Sequence, residues 1–182
     1  MATDDPRVPL AAEPPAAESR HPQLSFRRAT PDDHARVVGA IPEWWGMPGS
    51  TTLPLLLPRL FFQHFGDTST IVEDADGGLA GFLIGFRSSS QPGVAYIHFV
   101  GVRPDVRRSG LGRTLYERFF AEMRASGCRR VDAITGPVNR RSQEFHRAMG
   151  FELSGDTEID GVLAFRDYDG PGEHRVAFSR AL

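Results

Sequence analysis

The run Val100-Gly-Val-Arg-Pro-Asp-Val-Arg-Arg-Ser-Gly-Leu-Gly-Arg-Thr-Leu-Tyr116 decides how this chain is read. Upstream of it, Tyr96 to Val102 forms an apolar β-run, which turns at Arg103-Pro104-Asp105. Leu111, Leu115, Phe119 and Met123 then recur every four residues and share one helical face. Arg107-x-x-Gly110-x-Gly112 therefore sits where a strand hands over to a helix N-terminus. Free N–H groups and the positive end of the helix dipole favour an anion there, and glycine lets the main chain approach it. Between Arg103 and Arg113 four arginines stand against one aspartate, a local charge of +3. The stretch reads as a diphosphate cradle. It matches neither established nucleotide signature. The chain has no lysine to complete a P-loop, and Gly112 is not followed by the third glycine of a dinucleotide fingerprint.

Arg-x-x-Gly-x-Gly after a β-run ending Val-x-Pro resembles the acetyl-CoA-binding motif of the GCN5-related N-acetyltransferases. Downstream, Asn139-x-x-Ser142-x-x-Phe145-His146-x-x-x-Gly150-Phe151 resembles that family's second motif, at the expected distance and in the expected order. Together the two cover about Ala95 to Leu153. The opening of the chain, a strand at Leu24 to Arg28 followed by Thr30-Pro-Asp-Asp33 and a helix, also resembles the family.

Composition is consistent with this. A chain of 182 residues is one domain of ordinary size, long enough to bury a core. Its 40% hydrophobic and 24% charged residues are those of a globular protein. A net charge of −2 argues against nucleic acid as a partner. No apolar run is long enough for a membrane span, and the N-terminus lacks the apolar stretch of a signal peptide. The single cysteine, Cys128, suits a reducing compartment, and a cytoplasmic location is expected. All 21 basic residues are arginine, which reads as codon bias rather than function. A monomer or homodimer is expected.

Residues 1–22, rich in proline and alanine, read as a mobile tail, and 23–182 as a single acetyltransferase domain. Thr30 is expected to cap the first helix with Pro31 in its first turn, and Pro42-Glu-Trp-Trp-Gly-Met-Pro48 to break it. Leu53 to Phe65 is helical in length though constrained by Pro54 and Pro58. Thr70 to Glu73 and Leu79 to Phe86 form a hairpin over Asp74-Ala-Asp-Gly-Gly78. The central strand is Ala95 to Val102, followed by the glycine-led helix, a strand at Arg130 to Thr135, a helix at Ser142 to Met149 ended by Gly150, and a strand start at Phe151 to Leu153. Val162 to Phe165 reads as strand or loop, and His174 to Arg180 as a last strand. The fold class is α/β (α+β). The resemblance implies a single-domain, mixed, mostly antiparallel twisted sheet flanked by helices and splayed at its central strand.

The resemblance further implies transfer of an acetyl group from acetyl-CoA, as cosubstrate and without a metal, to a primary amine of a small-molecule or amino-acid-like acceptor. Two alternatives stay open: a non-catalytic acyl-CoA sensor, motivated by the altered proton-handling residues, and an enzyme acting on a peptide or protein amine. The diphosphate falls to Arg107, Arg108, Ser109, Gly110, Leu111, Gly112 and Arg113; Phe99, Val100, Gly101 and Val102 would pair with the pantetheine amides. Val100 would polarise the thioester through its N–H, freed by a bulge. Asn139 and Ser142 would meet the pantetheine arm. His98 stands where many relatives carry a glutamate base, and His146 where they carry a tyrosine acid. Trp44, Trp45 and Tyr96 are the candidate acceptor wall, Tyr96 sharing a strand face with His98.

Overall fold

The computed structural model describes residues 23–46 and 52–182. The expected tail, 1–22, and the 47–48 end of the tryptophan loop lie outside the described residues. Within them the strands are β1 (Ser25–Arg28), β2 (Thr70–Glu73), β3 (Leu79–Arg87), β4 (Val94–Val102), β5 (Arg130–Thr135), β6 (Glu152–Ser154), β7 (Thr157–Ile159), β8 (Val162–Ala164) and β9 (Val176–Ala181). The helices are α1 (Asp33–Trp44), α2 (Thr52–Leu55), α3 (Leu60–His64), α4 (Leu111–Ala125) and α5 (Arg140–Ala148). Seven strands form one sheet in the order β1-β2-β3-β4-β5-β9-β6, antiparallel throughout except for β4 beside β5; β7 and β8 make a separate hairpin.

Each sheet face buries its own core. On one face α4 inserts Leu111, Leu115, Phe119 and Met123 against Ala95, Ile97, Val131, Ala133 and Phe178. Burying each large apolar side chain is worth ~1.5–3 kcal/mol, so this interface holds α4 and its N-terminus in place. On the other face α1 and α3 bring Val37, Ile41, Trp44 and Phe62 onto Ile71, Phe82 and Ile84.

Several local expectations are corrected. Thr30 does not cap α1. The cap residue is Asp32, without a side-chain bond, and the Asp33 carboxylate instead accepts from the Thr30 N–H at 2.8 Å and the Thr30 hydroxyl at 3.0 Å. Pro42 does not break α1, which continues to Trp44. It sits in the last turn, and the buried Ile41 and Trp44 on either side of it outweigh the one hydrogen bond it forfeits. The stretch from Leu53 to Phe65 is two short helices, because Pro58 offers no N–H across which α2 could run into α3. The β7–β8 hairpin turns at Asp160-Gly161, both left-handed, on strands too short for a period to show.

The bulge in β4 falls at His98 and not at Val100. Ile84 pairs with Phe99 and Gly85 with Ile97, so His98 is the extra residue, whereas Val100 pairs in register with Leu83. The insertion reverses the side-chain alternation. Ala95 and Ile97 face α4 before it, Val100 and Val102 after it. Between β4 and β5 only Val94–Tyr96 and Arg130–Asp132 pair; beyond Tyr96 the strands part and leave a wedge. Among the described residues no helix is long and apolar enough to cross a membrane.

Candidate active site

The wedge is where the sheet's hydrogen bonds run out. The Arg103 N–H donates to the Ala80 carbonyl at 2.9 Å. In an antiparallel ladder such bonds alternate, so Gly101 and Phe99 aim their polar groups at β3, and Val102 and Val100 aim theirs away from it. The Val102 carbonyl, on that side, accepts from Arg107 Nε at 3.0 Å. The N–H of Val100 points into the same opening, so the group expected to polarise a carbonyl is exposed by the splay rather than by a bulge of its own.

A cleft of about 970 Å³ fills the wedge. Its floor is Val100, Val102 and Tyr116; α4 contributes Gly110, Gly112 and Arg113; α5 contributes Ser142, Phe145 and His146, beside Asn139; and the end of α1 contributes Trp44 and Trp45. At the α4 end, Gly110 has a φ of 91° and no side-chain cap. A side chain at Gly110 would meet open space but an adverse backbone, which is why glycine stands there. The first-turn N–H groups of α4 thus face the cleft as an anion site. Arg108, also left-handed at φ 67°, turns the loop toward it.

Arginine crowding sharpens that site. Arg107, Arg108, Arg113 and Arg141 all line the cleft. Burial, and then the like charge of Arg141, hold the Arg107 guanidinium below its ordinary range. An anion between these cations relieves the repulsion. Arg107 is also a strut, since besides Val102 it donates to the Trp44 carbonyl and pins the end of α1 to β4.

Asn139 caps α5, its Oδ1 accepting from the Ser142 N–H at 3.2 Å while its Nδ2 donates to Thr135 Oγ1 at 3.1 Å. His146 is 6% exposed, and its ring lies flat on Phe178 with centroids 3.9 Å apart. Its Nδ1–H donates to the Ser142 carbonyl at 2.8 Å, which leaves Nε2 to accept from the Tyr116 hydroxyl at 3.0 Å. Burial pushes His146 down to about 4. The ring is therefore neutral at neutral pH, and its one proton is committed to the backbone. Geometry thus makes His146 a tether for Tyr116 and gives it no proton to donate into the cleft.

His98 and Tyr96 lie elsewhere. His98 stacks on Phe61 at 4.0 Å, and its Nε2–H donates to the Leu56 carbonyl at 2.6 Å. Burial lowers its pKa, against the opposing pull of the Leu56 carbonyl and Asp169. It is held as a neutral ring with Nδ1 as its acceptor. Tyr96 lines a second pocket, of about 480 Å³, at the last paired rung of β4 and β5. Phe99 packs on Trp45 and Phe82 rather than on the cleft, and Gly101 backs onto Phe82. Leu111 is core, and the Ser109 hydroxyl is spent on the Val106 carbonyl at 2.7 Å, so each offers the cleft only its backbone. Sequence reasoning missed Tyr116 and Arg141. Tyr116 was signalled by its spacing, one helical turn after Gly112, and Arg141 by its place in the first turn of α5.

Comparison with known proteins fits this architecture. The profile described as "Acetyltransferase (GNAT) family" matches residues 38–151. The chain is 23% identical over 152 residues to the L-2,4-diaminobutyric acid acetyltransferase of Shouchella clausii, covering 82% of this chain and 81% of that one. It is 29% identical over 113 residues to the enzyme of that name from Virgibacillus pantothenticus, covering 62% and 70%. The fold superposes with a TM-score of 0.61 at 20% identity on the diaminobutyrate acetyltransferase of Paenibacillus lautus, solved with its substrate and coenzyme A, covering 87% of this chain and 95% of that one. Since the profile spans more than half of the chain, the protein belongs to the acetyltransferase (GNAT) family.

Proposed function

We propose that this acetyltransferase transfers the acetyl group of acetyl-CoA to a primary amine of a small, amino-acid-like acceptor. The observation that carries the reading is the wedge between β4 and β5, with β4 backbone on its floor that β5 does not pair, and a helix start without a side-chain cap, ringed by arginines, at its mouth. The residues present fit acetyl-CoA. The first turn of α4 with Arg108, Arg113 and Arg141 would hold the diphosphate. Val100 and Val102 would pair with the pantetheine arm along the open edge of β4. When bound, acetyl-CoA supplies an acyl group activated as a thioester.

The chain's own groups then have two tasks. The Val100 N–H, aimed into the wedge, would meet the negative charge that develops on the acyl oxygen. His98 Nδ1 takes a proton from the acceptor ammonium, the ring being fixed in that tautomer by Leu56 and kept neutral by burial. In balance, ammonium and thioester give amide, thiol and one released proton. The Shouchella clausii, Virgibacillus pantothenticus and Paenibacillus lautus enzymes act, by their names, on 2,4-diaminobutyrate, which makes diamino acids the first acceptors to try.

The test is thiol release from acetyl-CoA across an amine panel headed by L-2,4-diaminobutyrate, with wild type and His98→Ala, over pH 6 to 9. Turnover on small amines, lost in His98→Ala while CoA still binds, is the expected result. Tight CoA binding with no turnover on any amine would overturn it in favour of a sensor. Turnover confined to peptides would overturn the small-acceptor reading.

A further inference from the structure

The second pocket is built on the sheet face opposite α4. Ala95, Ile97, Val131 and Ala133 are buried against α4, so by alternation Tyr96 and Asp132 project the other way. Helices α1 and α3 cover that face only over β2 to β4. Among the described residues no helix covers it over β5 and β9, and there the pocket opens, walled by Tyr96, Arg130, Asp132, Gln91 and Tyr168. Its place along the sheet is specific. Tyr96 and Asp132 form the last rung before β4 and β5 part, so the pocket abuts the apex of the wedge. His98 stands two residues further along β4, ~7 Å away, on the side of Tyr96.

The polar groups in this pocket make a pattern. Arg130 and Asp132 are two apart on β5 and so share a face. They bond in parallel, Nε to Oδ1 at 3.0 Å and Nη2 to Oδ2 at 3.0 Å, and Nη2 also reaches Gln91 Oε1 at 3.3 Å. Their side chains keep 46% and 25% of their exposure, so a surface pair of this kind contributes little to stability. A cation and an anion side by side, each with bonding capacity left, are the complement of a zwitterion. Charges of both signs surround it: Asp169 is ion-paired with Arg175 at 2.7 Å, and Arg175 opposes the carboxylates at Tyr96. Asp169 lies near enough to both Tyr96 and His98 to shift their titration, and Asp132 near enough to Tyr96. A volume of about 480 Å³ accommodates an amino acid with its water.

We infer that this pocket binds the acceptor and that the acceptor is a diamino acid in zwitterionic form, its carboxylate on Arg130 and its α-ammonium on Asp132, leaving the second amine to face His98. The inference rests on the acetyl-transfer reading and adds to it the acceptor's class and the residues that select it. It also explains why Tyr96, expected on the acceptor wall, is absent from the main cleft: donor and acceptor enter from opposite sheet faces and meet where the strands part.

The experiment compares an α,γ-diamino acid with 1,3-diaminopropane, which has both amines and no carboxylate, in wild type, Arg130→Met and Asp132→Asn. Wild type should favour the diamino acid at least tenfold in kcat/KM. Arg130→Met should raise KM for the diamino acid at least tenfold, while KM for the diamine and for acetyl-CoA stays within twofold. Asp132→Asn should raise the diamino acid's KM with kcat little changed. If both variants leave that KM unchanged, or if Arg130→Met shifts both amines alike, the assignment is wrong. Should no amine be acetylated, the acetyl-transfer reading fails first, and calorimetric titration of the diamino acid into the CoA-loaded protein decides the pocket separately. Binding lost in Arg130→Met supports the inference; no binding to wild type overturns it.

Discussion

Tyr116, His146 and the Ser142 carbonyl form a chain of hydrogen bonds polarised in one direction, from phenol to imidazole to backbone. The Tyr116 proton is spent on His146, so the phenol oxygen, at the floor of the cleft, offers lone pairs. An acceptor there suits an amide N–H of the pantetheine arm and does not suit delivery of a proton to a leaving thiolate. Tyr116→Phe should therefore raise KM for acetyl-CoA about fivefold, the worth of one hydrogen bond at ~1 kcal/mol, with kcat and its pH profile kept. A hundredfold fall in kcat, with loss of the alkaline limb, would return the acid role to this pair. His98 is predicted to behave differently. Its ring must be neutral to accept a proton, and burial sets its pKa below 6.5. The acid limb of kcat/KM should then have its midpoint below pH 6.5, and His98→Gln should cost ~100-fold in kcat/KM and abolish that limb. Rates measured from pH 5 to 8 decide it; an unchanged limb in the variant assigns the titration to another group.

At the scale of elements, β4 shows what could be read in the sequence and what could not. Its existence and the helix after it follow from periodicity, because Tyr96 to Val102 and Leu111 to Met123 repeat with the strand and helix periods. The Arg107 to Arg113 anion loop was legible for the same reason, since glycine and arginine act there through local backbone and charge. The bulge at His98 was not legible, because register belongs to a pair of strands and no single strand declares it. Nor was the pairing of Tyr116 with His146, which joins two helices 30 residues apart. In the sequence Gly101 reads as part of the cofactor's strand, but its smallness serves the other face: a Cβ there would lie 2.4 Å from Phe82 Cε1. The Phe82 ring is buried and stacked between Trp44 and Phe99, at 5.9 and 6.1 Å, so it has no room to yield. Gly101→Ala is expected to destabilise the fold by ~1–3 kcal/mol and lower the melting temperature by several degrees. Adding Phe82→Leu should recover part of the loss. A Gly101→Ala variant that melts like wild type would show that β4 can shift away from Phe82.

Across the whole molecule, buried histidines and paired carboxylates couple folding to pH in the same direction but in separate windows. Burial depresses His146 from 6.5 to about 4, so between those values the unfolded chain binds a proton that the folded chain refuses. Stability therefore rises with pH through this window and is lost on acidification, by about 3 kcal/mol in total for this one group. His98, also depressed by burial, adds to the loss in the same sense. The carboxylates act lower. Asp33 is raised by burial, but the Arg27 guanidinium and Thr30 more than reverse this, and Glu73 is lowered by Arg27 and Arg36. With folded values below the usual carboxylate range, they hold β1, α1 and β2 together above ~4 and release them only as pH falls further. His146→Phe separates the windows. It keeps a ring to lie on Phe178 but removes the titration, and it strands the Tyr116 hydroxyl and Ser142 carbonyl. The variant should be less stable than wild type at pH 7, by ~1–3 kcal/mol, yet lose less on going from pH 6.5 to 4.5, so that the two stability curves converge. Urea unfolding midpoints at half-unit steps from pH 7 to 4 measure this. Parallel curves would mean that His146 takes up its proton as readily in the folded chain as in the unfolded one, and that the Tyr116–His146–Ser142 chain opens well above the pH at which the carboxylates let go.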